Sequence, residues 1–290
     1  MVQGSRFIVA SNSHVWSDTG VTADLLRSRR LFKTLSLLVA KAAGVNVPPS
    51  LLLLGRRREL IADFARKWGC PLMIRLDYRR SPRQKPLGGV PLYTLDAMCG
   101  VCEYLFKREC LPLFHPNLDR FRDIYSVGVS LRSDGYEAEI EVVGRGFDAG
   151  DLRLGKAVPH ERIAADLSDG SLSRRGTISD TDYRRERASR IERVRRLKAY
   201  IDFANRSAML ATDLNAFNPT HSFADSNAGI PHKYQRIPNT ILRKLIEIVQ
   251  TIRLSVIHGL PASKDFVASL SYLPGKDWIL WDIYGDWYRR

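Results

Sequence analysis

The stretch LFKTLSLLVAKAAGVNVPPSLLLLGRRRELIADFARKWGCPLMIRL, residues 31–76, decides the fold class. Leu31, Leu35, Leu38, Val39 and Ala42 recur at i, i+4, i+7, i+8 and i+11, one face of a helix. Gly44 stands where that helix needs a glycine cap. Val45 to Pro49 then leaves in an extended conformation, because a residue before proline avoids the α region. Ser50 to Leu54 reads as a short buried strand. Glu59 to Trp68 reads as a second amphipathic helix closed by Gly69, and Pro71 to Leu76 as a second strand. Helices and strands alternating in this way define a mixed α and β chain, α+β or α/β.

Outward from this core, Asp77 to Gly89 is a polar, basic stretch containing proline and glycine, and Tyr93 to Lys107 is a predicted helix. Tyr125–Leu131 and Tyr136–Val143 read as paired strands around a Ser133-Asp134-Gly135 turn. Arg145–Arg162 is a Gly/Asp-rich loop, and Asp166–Asp180 is polar and expected to be mobile. Tyr183–Asn205 is a long amphipathic helix, and Pro238 opens another with Ile241, Leu242, Leu245, Val249 and Ile252 inward. A hairpin, Asp265–Tyr272 and Trp278–Tyr284, ends the sequence. Residues 1–29 are polar and mixed.

Composition narrows the class. The 290 residues carry 45 Lys plus Arg against 31 Asp plus Glu, a net charge of +14, and are 44% hydrophobic. This is too apolar for a disordered chain, and the charge favours polyanionic partners. Four cysteines make no disulfide framework, no apolar run reaches the length of a membrane span, and Met1 to Gly20 lacks the apolar region of a signal peptide. A soluble, cytoplasmic protein is expected.

The order of several motifs matters more than any one of them. Lys33 precedes Ala43-Gly44-Val45-Asn46-Val47-Pro48. Gly69-Cys70-Pro71-Leu72-Met73-Ile74-Arg75 follows, then the glycine loop Lys85-Pro86-Leu87-Gly88-Gly89-Val90, then Tyr125-Ser126-Val127-Gly128-Val129. This order resembles the ATP-grasp superfamily over about Leu31–Val143, and again at Lys264–Tyr284. The resemblance implies an α+β, ATP-grasp-like fold of two α+β lobes with a nucleotide cleft between them. On it, residues 1–30 form an N-terminal segment, 31–110 a first lobe, and 111–290 a second lobe with a helical insertion at about 160–255.

The same resemblance implies the site. Lys33 and Arg75 would contact ATP phosphates, with Arg75 standing where a Lys is usual. Lys85, Gly88 and Gly89 would lie in a loop over the β- and γ-phosphates. Leu111–Phe114, with Leu113, would border the adenine, and Asp123 would hold the ribose. Mg²⁺ would bind Asp282, with Ser269 and Tyr284 standing where further ligands are usual and Glu139, Glu141 and Asp286 as substitutes. Asp148, Asp151, His160 and Glu161 would border the substrate cleft. The implied activity is ATP-dependent ligation of a carboxylate to an amine or thiol through an acyl phosphate.

Other readings stand beside this one. A degenerate fold could bind nucleotide or a partner without catalysis, as Ser269 and Tyr284 suggest. Asp282 could be a strand carboxylate satisfied by a nearby Arg. The acids Glu137, Glu139 and Glu141 alternate onto one strand face and could be a solvated edge. The basic run Arg174–Lys198 could engage nucleic acid, or be a solvated helix face. Cys99, Cys102, Cys110 and His115 lack the spacing of a zinc knuckle and read as core residues.

Overall fold

The computed structural model describes residues 7–17, 20–28, 31–78, 90–107, 110–116, 125–132, 135–144, 159–177, 236–259, 265–273, 275 and 277–285. They form two six-stranded sheets and five helices among the described residues. The fold is α+β.

The first sheet contains β1 (Phe7–Ala10), β2 (Val15–Ser17), β3 (Ser50–Leu53), β4 (Leu72–Tyr78), β5 (Val90–Leu92) and β6 (Cys110–Pro116), in the order β2-β1-β3-β6-β4-β5. Only β1 and β3 pair in parallel. Their crossover carries α1 (Ala23–Ser28) and α2 (Phe32–Ala42). The helices α3 (Arg58–Trp68) and α4 (Leu95–Phe106) cover one face, where Ile61, Phe64, Met98 and Val101 meet Leu51, Ile74 and Phe114. Residues 7–28, within the stretch that reads as polar and mixed, thus supply two strands and a helix to this half of the fold. The division expected at 110/111 falls inside β6.

The second sheet is an antiparallel run, β10-β9-β8-β7-β11-β12: β7 (Tyr125–Arg132), β8 (Glu137–Gly144), β9 (Glu161–Asp166), β10 (Leu172–Thr177), β11 (Asp265–Leu273) and β12 (Asp277–Gly285). Helix α5 (Asn239–Gly259) lays Leu242, Leu245, Val249 and Ile252 on its apolar face, against Val127, Val129, Ile140 and Ile163. Two expectations change here. Segment 160–255 is not simply a helical insertion, because it supplies β9 and β10 before α5. Within Asp166–Asp180, expected to be mobile, Leu172–Thr177 forms β10. The turn between β9 and β10 is tied by Asp166, whose Oδ1 accepts from the Ser168 N–H at 2.8 Å, and Gly170 takes the left-handed conformation with φ 73°. These strands look polar because only one of their faces is buried.

Helix α2 packs between the sheets, touching β4 and β12 as well as α1 and α5. The stripe expected from spacing therefore fails in detail. Lys33, Thr34, Leu35, Ser36, Leu37 and Ala40 are all buried, whereas Leu38 and Val39 are half-buried and Ala42 is exposed. A helix covered on several sides cannot be read from a single face. Its end does follow expectation: Gly44 has φ 86° and donates its N–H to the Lys41 carbonyl.

Candidate phosphate-binding site

Alternation along β4 sends Met73, Arg75 and Asp77 to the face turned toward α2. The β6 partners Leu111, Leu113 and His115 share that face. Across from it, the β11–β12 register slips: Ser269 pairs with Asp282 and Leu270 with Leu280, leaving Trp281 as the extra residue. This β-bulge re-aims the strand toward the first sheet. Arg75 Nη1 donates to the Trp281 carbonyl at 2.6 Å and Nη2 to Asp282 Oδ2 at 2.5 Å. Lys33, from the first turn of α2, places Nζ 3.2 Å from the same Oδ2. Lys33, Arg75 and Asp282 thus converge. The Leu280 N–H also donates to the Asn46 carbonyl, holding β12 against the segment that follows α2.

The Asp282 side chain is fully buried, and those of Lys33 and Arg75 are 10% and 17% exposed. Such charges persist in a protein interior only when paired. Asp77 is fully occupied at the start of α2: Oδ2 accepts from the Thr34 N–H at 2.7 Å and Thr34 Oγ1 at 2.6 Å, and Oδ1 from the Lys33 N–H at 3.4 Å. Asp77 had read only as the first residue of a polar loop.

Strand pairing also defines a polar floor. Asp282, Ser269, Gly128, Glu141 and Arg162 stand in one row across β12, β11, β7, β8 and β9. Ser126 and Ser271 share that face, their hydroxyls 3.0 Å apart. Small side chains thus separate a buried acid at one edge from a half-exposed one toward the other. The separation corrects the expected metal set. Glu141 lies three strands from Asp282, about 14 Å at the usual strand spacing, and pairs with Arg162 at 3.3 Å. Glu139 is exposed on the neighbouring row, opposite Ser130. Neither joins Asp282, and no group of three His, Cys, Asp or Glu converges as metal ligands among the described residues. Among the described residues the oxygen ligands that Mg²⁺ takes are not gathered here, and Asp282 serves both Lys33 and Arg75.

Other expected residues separate in the same way. Leu113 is a core side chain whose strand is paired on both sides, with Leu52 and Arg75, so its backbone is committed to the sheet and cannot read a base. Lys85, Gly88, Gly89, Asp123, Asp148, Asp151 and Asp286 lie outside the described residues, as does the side chain of Tyr284. Glu161 faces away from the polar floor. Buried on the α5 side, it accepts from Arg174 Nη1 at 2.5 Å and Arg236 Nε at 3.3 Å, beside a cavity of about 440 Å³ lined by Arg174, Arg236 and Asn239. Arg174 therefore turns inward from a strand and is no part of a basic helix; 178–198 lies outside the described residues. His160 is buried, which lowers its pKa.

The cysteine reading gains detail. Cys102 is buried on α4 and Cys99 half-buried; burial raises the pKa of both thiols. His115 lies in the first sheet, its Nδ1 3.2 Å from the Pro49 carbonyl and 3.1 Å from Ser50 Oγ. Ser50 donates its own hydrogen to the Pro48 carbonyl, so Nδ1 carries the imidazole hydrogen. Burial first, then the nearby Arg75 and Lys33 charges, hold the His115 pKa down at about 3, against the opposing pull of the Pro49 hydrogen bond. The ring is neutral and its Nε2 is buried without a hydrogen-bond partner among the described residues.

No protein-family model and no curated protein matches the sequence. Solved structures do. The dinucleotide-forming acetyl-coenzyme A synthetase 1 of Ca. Korarchaeum cryptofilum is 11% identical with a TM-score of 0.44, over 91% of this chain and 98% of that one. Carboxyaminoimidazole ribonucleotide synthase of Aspergillus clavatus, complexed with ATP, is 10% identical with a TM-score of 0.40, over 90% of this chain and 45% of that one. The ATP-grasp ligase PsnB, complexed with a minimal precursor, is 11% identical with a TM-score of 0.36, over 91% and 54%. The chain thus spans about half the length of the latter two. All three TM-scores lie below 0.5, so the chemistry has to come from the side chains themselves. No described helix is long and apolar enough to cross a membrane.

Proposed function

We propose that this chain binds ATP through Lys33 and Arg75, with Lys85, Gly88 and Gly89 closing over the phosphates and Asp123 at the ribose, and acts as a carboxylate ligase. The observation that supports this is the meeting of two cations from separate elements at one buried carboxylate, beside a floor of small side chains. Phosphoryl transfer asks mainly for positioning and charge neutralisation. A substrate carboxylate oxygen attacks the γ-phosphorus and ADP leaves. An amine or thiol then attacks the acyl carbon, losing its proton as phosphate departs. Lys33 and Arg75 would turn from Asp282 toward the phosphate oxygens and offset their charge. The cysteine usage favours a reducing compartment, and we place the protein in the cytoplasm.

A second reading, binding of nucleotide without turnover, is favoured by Ser269 standing directly opposite Asp282 and by the distance to Glu141. Thermal shift with ATP, with and without Mg²⁺, and ADP release with pooled carboxylates and amines separate the two. Ligase chemistry predicts stabilisation by ATP and Mg²⁺-dependent ADP release that needs both substrates. Stabilisation that ignores Mg²⁺, with no ADP release, leaves the second reading. No shift at millimolar ATP refutes both.

A further inference from the structure

Helix α2 begins against the local rules. Its N-cap is Leu31, which has no side-chain oxygen and makes no capping bond. Its first turn holds no acid and instead presents Lys33, a cation at the positive end of the helix dipole. A start of this kind leaves orphan N–H groups and adds an unfavourable charge. What the local sequence withholds, β4 supplies. Asp77, 1% exposed, takes the N–H groups of Lys33 and Thr34, the second and third residues of the helix, and these are the donors an N-cap side chain would take. The Thr34 hydroxyl adds a further bond to the same carboxylate.

Asp77 and Arg75 are two apart on one strand face, so their α-carbons are about 6.6 Å apart. The strand that carries one cation therefore also anchors the helix that carries the other. We propose that Asp77 is the positioning residue of the proposed phosphate site: it caps α2 from a distant strand and so sets Lys33 in register with Arg75. This rests on the ATP-binding reading for its purpose, but its geometric content can be tested without nucleotide. A broken local rule with a dedicated long-range compensation is expected where function needs the offending residue.

The test compares Asp77→Ala, Asp77→Asn and Thr94→Ala in the full chain. Thr94 caps α4, accepting from the Ala97 N–H, and touches neither cation, so its loss controls for a missing cap elsewhere. Two readouts are taken: the acylation rate of Lys33 by an amine-reactive ester, followed by peptide mass spectrometry, and the Kd for ATP by calorimetry. Asp77→Ala should raise both about tenfold, the equivalent of one cap. Asp77→Asn, a cap of similar quality, should keep both within about threefold, and Thr94→Ala should leave both unchanged. The proposal is overturned if Asp77→Ala leaves Lys33 as protected as in the parent, if Asp77→Asn is as damaging as Asp77→Ala, or if Thr94→Ala exposes Lys33 equally. Parent protein that binds no ATP defeats the nucleotide reading alone, because the labelling arm still decides the role of Asp77.

Discussion

Replacing Asp282 by Asn removes a carboxylate that Lys33 and Arg75 share while keeping its shape. The magnitude follows from burial. Both cations are more than four-fifths covered, and water cannot replace the lost partner without opening the contact between β4, α2 and β12. Stripping one partner from a buried pair costs about 3–5 kcal/mol, and with two cations losing the same carboxylate the upper end, about 5 kcal/mol, is expected. That is a large share of the roughly 5–15 kcal/mol that holds a domain folded. At about 2–4 °C per kcal/mol for a large domain, the midpoint should fall by about 10–20 °C.

On the proposed phosphate role of Lys33 and Arg75, an added anion should take the place of the lost carboxylate and partly reverse the loss. Tripolyphosphate at about 100 times its Kd would restore about 2.7 kcal/mol, and restore more in the variant than in the parent. Urea unfolding and thermal scans at matched ionic strength, with sulfate and tripolyphosphate, measure both effects. A loss below about 1 kcal/mol, the worth of a surface pair, would refute the claim that the cluster is dry. A normal loss with no anion-dependent recovery would refute its suitability for phosphate.

Three further outcomes can be checked. The folded-state pKa of His115, about 3, lies below its ordinary 6.5, so the unfolded chain takes up the proton first as pH falls; stability is fully present above pH 6.5 and declines from there toward pH 3, by up to about 1.4 kcal/mol per unit. His115→Gln should flatten the dependence of the urea midpoint between pH 6.5 and 4, and an unchanged slope would assign it elsewhere; His160, lowered by burial, contributes with the same sign. Glu161→Ala should cost about 3–5 kcal/mol by chemical denaturation because it takes the buried carboxylate from Arg174, which among the described residues keeps only its neutral partners Ile237 and Asn239, whereas Arg236→Ala should cost under about 1 kcal/mol, its side chain being 64% exposed. Gly55→Ala would put its Cβ 2.0 Å from Asn12 Oδ1 and 3.0 Å from the Asn12 nitrogen, and should cost about 1–3 kcal/mol, partly relieved when Asn12→Ala is added; a silent Gly55→Ala would disprove that close approach.

Much of the local structure was legible because it depends on neighbours in the chain. Helical spacing and Gly44 delimit α2, prolines and an apolar run set β3, and the terminal hairpin follows from its alternation and turn. The choice of Lys33, Arg75 and Asp282 came from motif order, and the three do meet. Errors fell where the deciding partner is remote. Glu139 and Glu141 look like spare ligands along the sequence, yet strand order puts β7 and β11 between β8 and Asp282. Leu113 stands at the right place in the chain for a base-reading segment, but pairing on both edges of β6 uses its backbone.

By itself, then, the sequence determined most of the elements and the glycine that ends α2, because periodicity and glycine conformations are properties of short segments. The tertiary structure alone decided that α2 is buried on several sides, that a bulge at Trp281 aims Asp282 at Arg75, and that Asp77 caps a helix more than forty residues away. Those features depend on which strands lie side by side, and no local spacing encodes that adjacency.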